Sequence, residues 1–304
     1  MEDGAASVPV YLTASQVNQI LAEESYPNLQ ESYESSSSES NSETLLAWVG
    51  SYKGQDYWVI RIKTDLATSD LPVDDSNNAA FANLREFGDR LEHRIDAGIL
   101  ATANGLVEFH TTHGYCSRCG SQTTCQKAGA CRRCVGCGRS AYPRLDVATI
   151  MLITSPCGEY ALLGRKSGWP KGRFSTLAGF AEVGETLEEC CARETLEESG
   201  VRVDRRSIAF VASQPWPFPR SLMVGFQAKA AAGVEVDNAT GLPRITVQPE
   251  EMEQIRWFTK EFVRERLGGG STAQSFVPNA TEAEFRIPGK SSLARLLITR
   301  WAKQ

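Results

Sequence analysis

The chain lacks three features that define well-known classes of protein. It has no apolar run that approaches the roughly 18 residues of a membrane-spanning helix. Its N-terminal stretch, MEDGAASVPVYLTASQ, has no basic segment followed by an apolar core. It also has no excess of basic charge, since its formal net charge at pH 7 is −5. From these absences we expect neither a membrane-spanning protein nor a secretory leader, and they argue against a dedicated nucleic-acid-binding protein.

The same absences favour an intracellular protein in a reducing compartment. The chain ends in Ala302-Lys303-Gln304, which is only distantly similar to the peroxisomal address SKL because its last residue is polar. We therefore expect a cytoplasmic rather than a peroxisomal location.

What the chain does contain is an ordinary globular composition, with 304 residues of which 41% are hydrophobic and 23% are charged. Residues 1–113 predict a small α+β domain, because 44–62 contain two β-rich runs split by Lys53-Gly54, as in a hairpin. Residues 81–113 have helical spacing, with Leu84, Phe87, Leu91 and Ile95 on one apolar stripe. Residues 24–43 are rich in Ser and Glu and poor in aliphatic side chains, so we expect a disordered insert there.

Nine cysteines are present, and six of them lie between residues 116 and 137. Two Cys-x2-Cys pairs in this region are typical of a zinc ribbon, in which four thiolates bind one structural Zn²⁺ tetrahedrally. The predicted ligands are Cys116, Cys119, Cys134 and Cys137. Cys131 leaves an alternative open, because it is also spaced to pair with Cys134. We favour the later pair because Gly136 and Gly138 suit a tight turn, and we assign the ribbon to residues 114–142.

Residues 143–304 predict a second α/β domain with several buried strands. Strands are expected at 146–155, 160–165, 208–213 and 222–230, and helical segments within 246–267 and 291–301. The predicted fold class is therefore α+β, with an N-terminal α+β domain, a four-cysteine ribbon and a C-terminal domain.

A glutamate-rich helix is predicted at residues 187–199, with Thr186 as its N-cap and Gly200 at its end. At about 100° per residue, Glu194, Glu197 and Glu198 share one arc with apolar side chains that should face the protein. The alternative is an ordinary solvated acidic face. Crowded, half-buried carboxylates repel each other and lose hydration, so the pattern favours Mg²⁺ or Mn²⁺ bound by oxygen ligands. A metal pair can hold a diphosphate and generate a hydroxide that attacks phosphorus.

The stretch GFAEVGETLEECCARETLEESGV, residues 179–201, resembles the Nudix box, G-x5-E-x7-R-E-U-x-E-E-x-G-U. The one departure is Thr195, which stands where U asks for a bulky aliphatic residue. The resemblance implies hydrolysis of a nucleoside diphosphate linked to another group. It also implies an α/β/α sandwich with a mixed sheet, spanning residues 143–304.

A second stretch, SQPWPFPRS at residues 213–221, resembles the S-Q-P-W-P-F-P-x-S array of the NADH pyrophosphatase branch of the Nudix hydrolases. Prolines hold a stiff, extended loop at little entropic cost, and rigid aromatic rings offer flat faces to bases. The alternative is a buried proline-rich turn. The resemblance covers the chain from about Leu106 to its end, and the N-terminal domain matches only loosely.

The resemblance also implies a metal site and its catalytic residues, with more than one Mg²⁺ or Mn²⁺ ion per site. The implied ligands are the Ala178 carbonyl, Glu194, Glu197, Glu198 and Glu251. The implied catalytic residues are Glu198, Glu194 and Glu197, with Glu198 as the best candidate for the base.

A substrate-binding set is implied in the same way. Its members are Tyr142, Ala178, Gly179, Phe180, Gln214, Trp216, Ser221 and Glu251. Phe180 would stack on the substrate base, and Tyr142 would reach a site from the partner of a homodimer.

The expected function is metal-dependent hydrolysis of NADH and NAD⁺ to nicotinamide mononucleotide and AMP. One alternative within the same chemistry is removal of an NAD cap from RNA, which releases nicotinamide mononucleotide and 5′-monophosphate RNA. An alternative from another class is a non-catalytic nucleotide- or RNA-binding protein that uses the ribbon.

Overall fold

The computed structural model describes residues 11–23, 45–61, 84–91, 93–267 and 285–304. The chain divides into two compact units, one formed by 1–145 with 216–220 and the other by 146–215 with 221–304. The expected disordered insert at 24–43 lies outside the described residues. Within the described part, no helix is both long and apolar enough to cross a membrane.

The first unit contains short helices and a β-hairpin before the cysteines. Its elements are α1 (Ala14–Glu23), β1 (Leu45–Tyr52), β2 (Gln55–Arg61), α2 (Leu84–Phe87) and α3 (Arg94–Thr112). β1 and β2 pair antiparallel, as predicted. Lys53 and Gly54 both have positive φ, 51° and 79°, which is the backbone conformation that a tight hairpin turn requires.

The helical spacing predicted over residues 81–113 is confirmed in part, because the described residues form two helices and not one continuous stripe. A 3-10 turn, Gly88–Arg90, separates α2 from α3. The break ends the uniform 3.6-residue phase on which the predicted apolar stripe depended. Ile95 is consequently exposed, and Asp96 is buried, where it accepts a 2.7 Å hydrogen bond from the Tyr11 hydroxyl.

Three antiparallel strands follow, β3 (Thr123–Gln126), β4 (Cys131–Cys134) and β5 (Ser140–Ala141). A buried polar cluster joins them to α3. His110 donates from Nε2 to the Gly129 carbonyl at 2.8 Å and accepts at Nδ1 from Arg132 at 3.1 Å. Arg132 also donates to the side chain and carbonyl of Thr123. Burial lowers the pKa of His110 to about 4, so the ring stays neutral and can accept from the arginine.

The second unit is built on a mixed sheet. Its described strands are β6 (Asp146–Thr154), β7 (Tyr160–Arg165), β8 (Leu177–Phe180), β9 (Ala209–Trp216), β10 (Ser221–Lys229) and β11 (Gln254–Thr259). The order is β11-β7-β6-β10-β9, and β8 also pairs with β6. β10 runs parallel to β6, whereas β7 and β8 run antiparallel to it.

Helices cover both faces of this sheet. They are α4 (Leu187–Ser199), α5 (Lys260–Leu267) and α6 (Leu293–Lys303). Successive β6 residues alternate between two cores: Ile150 and Leu152 pack with α5 and α6, and Met151 and Ile153 pack on the α4 side. This alternation gives an α/β/α sandwich with a mixed sheet, which confirms the fold class.

The opening part of SQPWPFPRS is strand rather than loop. Residues 213–216 end β9, and the four residues after them form a turn. β9 is an edge strand of the described sheet, which explains how it accommodates Pro215, since an edge residue has no second ladder to supply with a donor.

Candidate active site

Helix α4 begins and ends where the sequence predicts. The Thr186 hydroxyl accepts from the Glu189 amide, and the Glu189 carboxylate accepts from the Thr186 amide, which forms a reciprocal capping box. Gly200 ends the helix in the left-handed conformation, with φ of 71°. Both ends are therefore fixed, and the helix presents its carboxylates in a defined rotational phase.

The buried face of α4 carries two of the three predicted carboxylates. Glu194 and Glu198 are buried, whereas the side chain of Glu197 is 56% exposed. The predicted arc was rotated too far toward Glu197, because Thr195 also faces the core and donates to the Cys191 carbonyl. Glu197 instead accepts a 2.8 Å hydrogen bond from Arg193, one helical turn away.

A carboxylate cluster forms where α4 meets the segment before β11. Oxygen atoms of Glu194, Glu198 and Glu251 all lie within 4.8 Å of one another. Glu198 is 1% exposed, and neither of its carboxylate oxygens has a hydrogen-bond partner among the residues that the structure describes. The Lys166 ammonium lies 4.0 Å from Glu198 Oε1. This arrangement is suited to divalent cations, which supply charge that the protein side chains do not.

Burial dominates the electrostatics of the cluster. It raises the pKa of Glu198 to about 8, and the charges of Glu194 and Glu251 act in the same direction, while Lys166 opposes them. The pKa of Glu194 is also raised, mainly by burial and against the opposing charge of Arg193. Both shifts disfavour the charged carboxylate in the absence of a bound cation.

Arg193 organises the loop that precedes α4. Its guanidinium donates to both carboxylate oxygens of Glu185, at 2.8 and 2.9 Å, and to the Phe180 carbonyl at 2.9 Å. It also donates to Glu194 Oε1 at 2.9 Å. The pKa of Glu185 falls to about 2 because of this pairing. One side chain therefore holds the end of β8, the loop and the first buried carboxylate in register.

Two backbone features bring the carboxylates together. A Cβ added at Gly179 would lie 1.8 Å from Glu194 Cδ, so only glycine permits this carboxylate to lie against β8. Farther along the chain, the amides of Thr246 and Gln248 donate to the carbonyls of Ser199 and Glu198, at 2.8 and 3.2 Å. The end of α4 thus holds the segment that leads to Glu251.

The remaining predicted residues of the second unit lie in different surroundings. Phe180 is 58% exposed at the end of β8, as a stacking residue would need to be. The Gln214 amide donates to the Ser291 carbonyl and accepts from the Leu293 amide, both at 2.8 Å, so it supports the start of α6. Ser221 is buried and begins β10 opposite Asp146.

Two predicted residues belong to the first unit. Tyr142 is exposed. Trp216 packs edge-on against Phe218, with ring centroids 5.2 Å apart, and the Arg85 guanidinium lies 5.9 Å from the Trp216 ring. Each is thus accessible or partly accessible in its own unit.

The structure brings the four predicted ribbon cysteines together. The Sγ atoms of Cys116 and Cys137 are 3.7 Å apart, and those of Cys119 and Cys134 are 3.4 Å apart. These separations exceed the roughly 2.0 Å of a disulfide bond. They are close to the roughly 3.8 Å edge of a tetrahedron of thiolates about 2.3 Å from zinc. Cys131 is buried in β4 outside the group, which agrees with the favoured ligand set.

Sequence reasoning missed strand β8 and the part that Arg193 plays. β8 has four residues, two of them small, which leaves little periodic pattern to detect. Its position directly before the acidic helix, and the approach of Gly179 to Glu194, indicate its role only when the pairing with β6 is known.

The second unit is an α/β/α sandwich with two buried carboxylates on a capped helix. The model of the NUDIX domain matches residues 144–279. The chain is 34% identical over 250 residues to the NAD-capped RNA hydrolase NudC of Mycobacterium bovis (strain BCG / Pasteur 1173P2), which covers 82% of this chain and 72% of that protein. The chain therefore belongs to the Nudix family.

Two further proteins are similar over smaller shares. The NAD-capped RNA hydrolase NUDT12 of Homo sapiens is 36% identical over 216 residues, covering 68% of this chain and 42% of that protein. A crystal structure of a NUDIX hydrolase from Nitrosomonas europaea aligns with 21% identity and a TM-score of 0.39, covering 57% of this chain and 96% of that one.

Proposed function

We propose that this protein hydrolyses the diphosphate bond of NADH and NAD⁺ to nicotinamide mononucleotide and AMP in a metal-dependent reaction. The observation that carries the proposal is Glu198, a buried carboxylate with no hydrogen-bond partner in the described part of the chain. One of its oxygens lies within 4.8 Å of an oxygen of Glu194 and of an oxygen of Glu251. Buried carboxylates of this kind normally bind metal or hydrogen-bond donors. The names of the two relatives as NAD-capped RNA hydrolases agree with a substrate that contains NAD.

The residues present fit Mg²⁺ or Mn²⁺. The proposed ligands are Glu194, Glu198, Glu251 and the Ala178 carbonyl, and Glu197 would join them if it left Arg193. When bound, more than one such ion would neutralise the diphosphate and activate a water molecule for attack on phosphorus.

The side chains of the chain itself have separate roles in this proposal. Glu198 would accept the proton of the attacking water on a carboxylate oxygen, since it is the most buried base in the cluster. Arg193 would hold Glu194 in place through their 2.9 Å hydrogen bond. The exposed ring of Phe180 would stack on a substrate base, and Gly179 would let the backbone approach the substrate.

The substrate loop is a separate part of the proposal. Trp216 would supply a second aromatic face, and Gln214 and Ser221 would position the loop from either side of it. Tyr142 would reach the site of a partner subunit in a homodimer. We also propose that the protein is cytoplasmic.

The thiol cluster fits one structural Zn²⁺. Cys116, Cys119, Cys134 and Cys137 together supply the four soft ligands that a closed zinc site uses. Such a site has no position for a reacting water, so its contribution is to the folding of the ribbon.

Removal of an NAD cap from RNA is a second candidate, and the names of the relatives favour it. The same diphosphate is cleaved, and the adenosine carries the RNA chain on its 3′ side. A non-catalytic nucleotide-binding protein is a weaker candidate. Three clustered carboxylates lower the stability of the fold, and a protein that only binds nucleotides gains nothing from them.

A product assay tests the proposal. NADH, NAD⁺, a diadenosine polyphosphate, ADP-ribose and a short NAD-capped RNA are each incubated with the purified protein, with and without Mg²⁺. We expect nicotinamide mononucleotide from the NAD-containing substrates only when the metal is present. Binding of NADH without Mg²⁺-dependent turnover would instead support the non-catalytic alternative.

A further inference from the structure

We propose that Lys166, Arg173 and Arg286 form a basic strip that binds the phosphate backbone of a single-stranded polynucleotide attached to the dinucleotide. This inference rests on the proposed function and specifies the substrate class of the same site. The strip lies in a chain with a net charge of −5, so its positive charge is local rather than a general property of the surface.

The strip begins at the carboxylate cluster. Position 164 faces the core on the α4 side of the sheet, because a Cβ at Gly164 would meet Met252 and Leu177 there. Lys166 lies two residues farther along the chain. Because side chains alternate along extended chain, Lys166 projects to that side as well. Its ammonium is 4.0 Å from Glu198 Oε1, which agrees with this direction.

Arg173 continues the strip on the neighbouring segment. Gly164 and Ser175 exchange two backbone hydrogen bonds of 2.9 Å as an antiparallel bridge. Counting outward from that bridge, Arg173 stands opposite Lys166. The adjacent Phe174 packs in the opposite core, with α5 and α6, so Arg173 projects to the α4 side.

Arg286 pairs with Arg173 as a parallel bridge. The Phe174 amide donates to the Arg286 carbonyl at 2.9 Å, and the Arg286 amide donates to the Gly172 carbonyl at 2.8 Å. Phe285 and Ile287 both pack against the α5 and α6 core, so the side chain between them points the other way. The two arginines therefore lie side by side on one face.

Aromatic rings lie close to this pair, and no described acidic side chain is bonded to it. Phe174 and Phe285 stack beneath it at a centroid distance of 5.8 Å, and Arg173 lies over the Trp169 ring at 5.6 Å. Within the described part of the chain, no carboxylate forms a salt bridge with Arg173 or Arg286. Like charges in register repel each other, so the arrangement costs stability unless an anion lies against it.

The extent of the strip favours a polynucleotide over a dinucleotide. From Lys166, which lies 4.0 Å from Glu198, the strip crosses two strand spacings, about 10 Å, to Arg286. The one diphosphate of a dinucleotide is already required at the carboxylate cluster. An attached RNA chain adds a phosphate at every nucleotide, and arginine binds phosphate bidentately without regard to sequence.

The test compares the double variant R173Q/R286Q with R205Q/R206Q, which removes two charges from exposed arginines of the same unit. kcat/KM is measured for an NAD-capped RNA of about ten nucleotides, a length set by the site sizes of single-strand binders, and for free NADH. We expect the ratio of the two values to fall about tenfold in R173Q/R286Q, as lost phosphate contacts predict, and to stay at the wild-type value in the control. An unchanged ratio, or an equal fall in both variants, would contradict the proposal that the strip binds RNA.

A binding measurement separates failure of the strip from failure of the proposed function. The affinity for 5′-monophosphate RNA of the same sequence is measured by fluorescence anisotropy at several salt concentrations. Two lost phosphate contacts should reduce the slope of log K against log salt by about 1.4. If the wild-type protein hydrolyses none of the substrates, the proposed function fails, but the salt slope still tests whether the strip binds RNA. A reduced slope in R173Q/R286Q supports RNA binding by the strip, and an unchanged slope contradicts it.

Discussion

The carboxylate cluster and the thiol cluster differ in what shifts the pKa values of their side chains. Burial raises the pKa of Glu198 to about 8, so its charged form is disfavoured without a cation. In the thiol cluster, hydrogen bonds from the Ser121 backbone and side chain lower the pKa of Cys119 to about 6. Against a hydrogen bond from the Arg139 backbone, the neighbouring thiols raise the pKa of Cys137 to about 11. Under the proposed function, the four thiols are a closed structural zinc site, whereas the carboxylates, with Glu251 exposed on one side, are an open and reactive one.

The largest effect expected from this comparison is on turnover in Glu198→Gln. The amide cannot replace an anionic ligand or base, so kcat should fall by about three orders of magnitude or more. Because burial already disfavours the charged carboxylate and the amide has nearly the same size, the melting temperature of the metal-free protein should stay near the wild-type value. Glu188→Gln, on the outward face of the same helix, serves as the control and should retain wild-type kcat. Undiminished turnover in Glu198→Gln would falsify the proposed mechanism.

The next largest effect concerns zinc. Cys131 and Cys134 are each 2% exposed at the two ends of β4, so replacing either by alanine leaves a similar small cavity. Only Cys134→Ala should reduce the zinc content from one ion per chain to nearly none, with a much lower melting temperature, since structural zinc contributes about 10 kcal/mol or more. Metal analysis and thermal unfolding of both variants check this. Equal zinc loss in the two variants would reopen the ligand assignment.

A smaller effect is expected at the backbone that supports the acids. In Gly179→Ala the new methyl group would overlap Glu194, which must move. A displacement of about 1 Å typically costs on the order of 100-fold in rate, so kcat should fall by roughly that factor. Gly168→Ala is the matched control, because a Cβ there meets nothing within 4 Å. If the two variants have equal kcat, Glu194 is not held by this contact.

Local sequence information was sufficient for helix α4 and most of the sheet. The bounds of α4 follow from one N-cap and one glycine, and the hairpin follows from Lys53-Gly54, because these are short-range conformational preferences. The grouping of four cysteines follows equally from spacing. The division into domains at 1–113, 114–142 and 143–304 stays a prediction.

What the sequence could not supply depends on contacts between distant segments. The exposure of Glu197 is decided by how α4 is rotated against β6 and β8, and that rotation also buries Thr195. The engagement of Gln214 with Ser291 and Leu293 joins segments separated by more than seventy residues. No pattern within either segment reports such a pairing.

The attachment of residues 246–248 to the last turn of α4 has a consequence for how the family can vary. Because Thr246 and Gln248 are hydrogen-bonded to Ser199 and Glu198, the third acid takes its position from the helix and not from the length of chain between them. Insertions or deletions between 231 and 243 should therefore leave the arrangement of the three carboxylates intact. Loss of a single residue between 248 and 251 should instead displace Glu251 from Glu194 and Glu198.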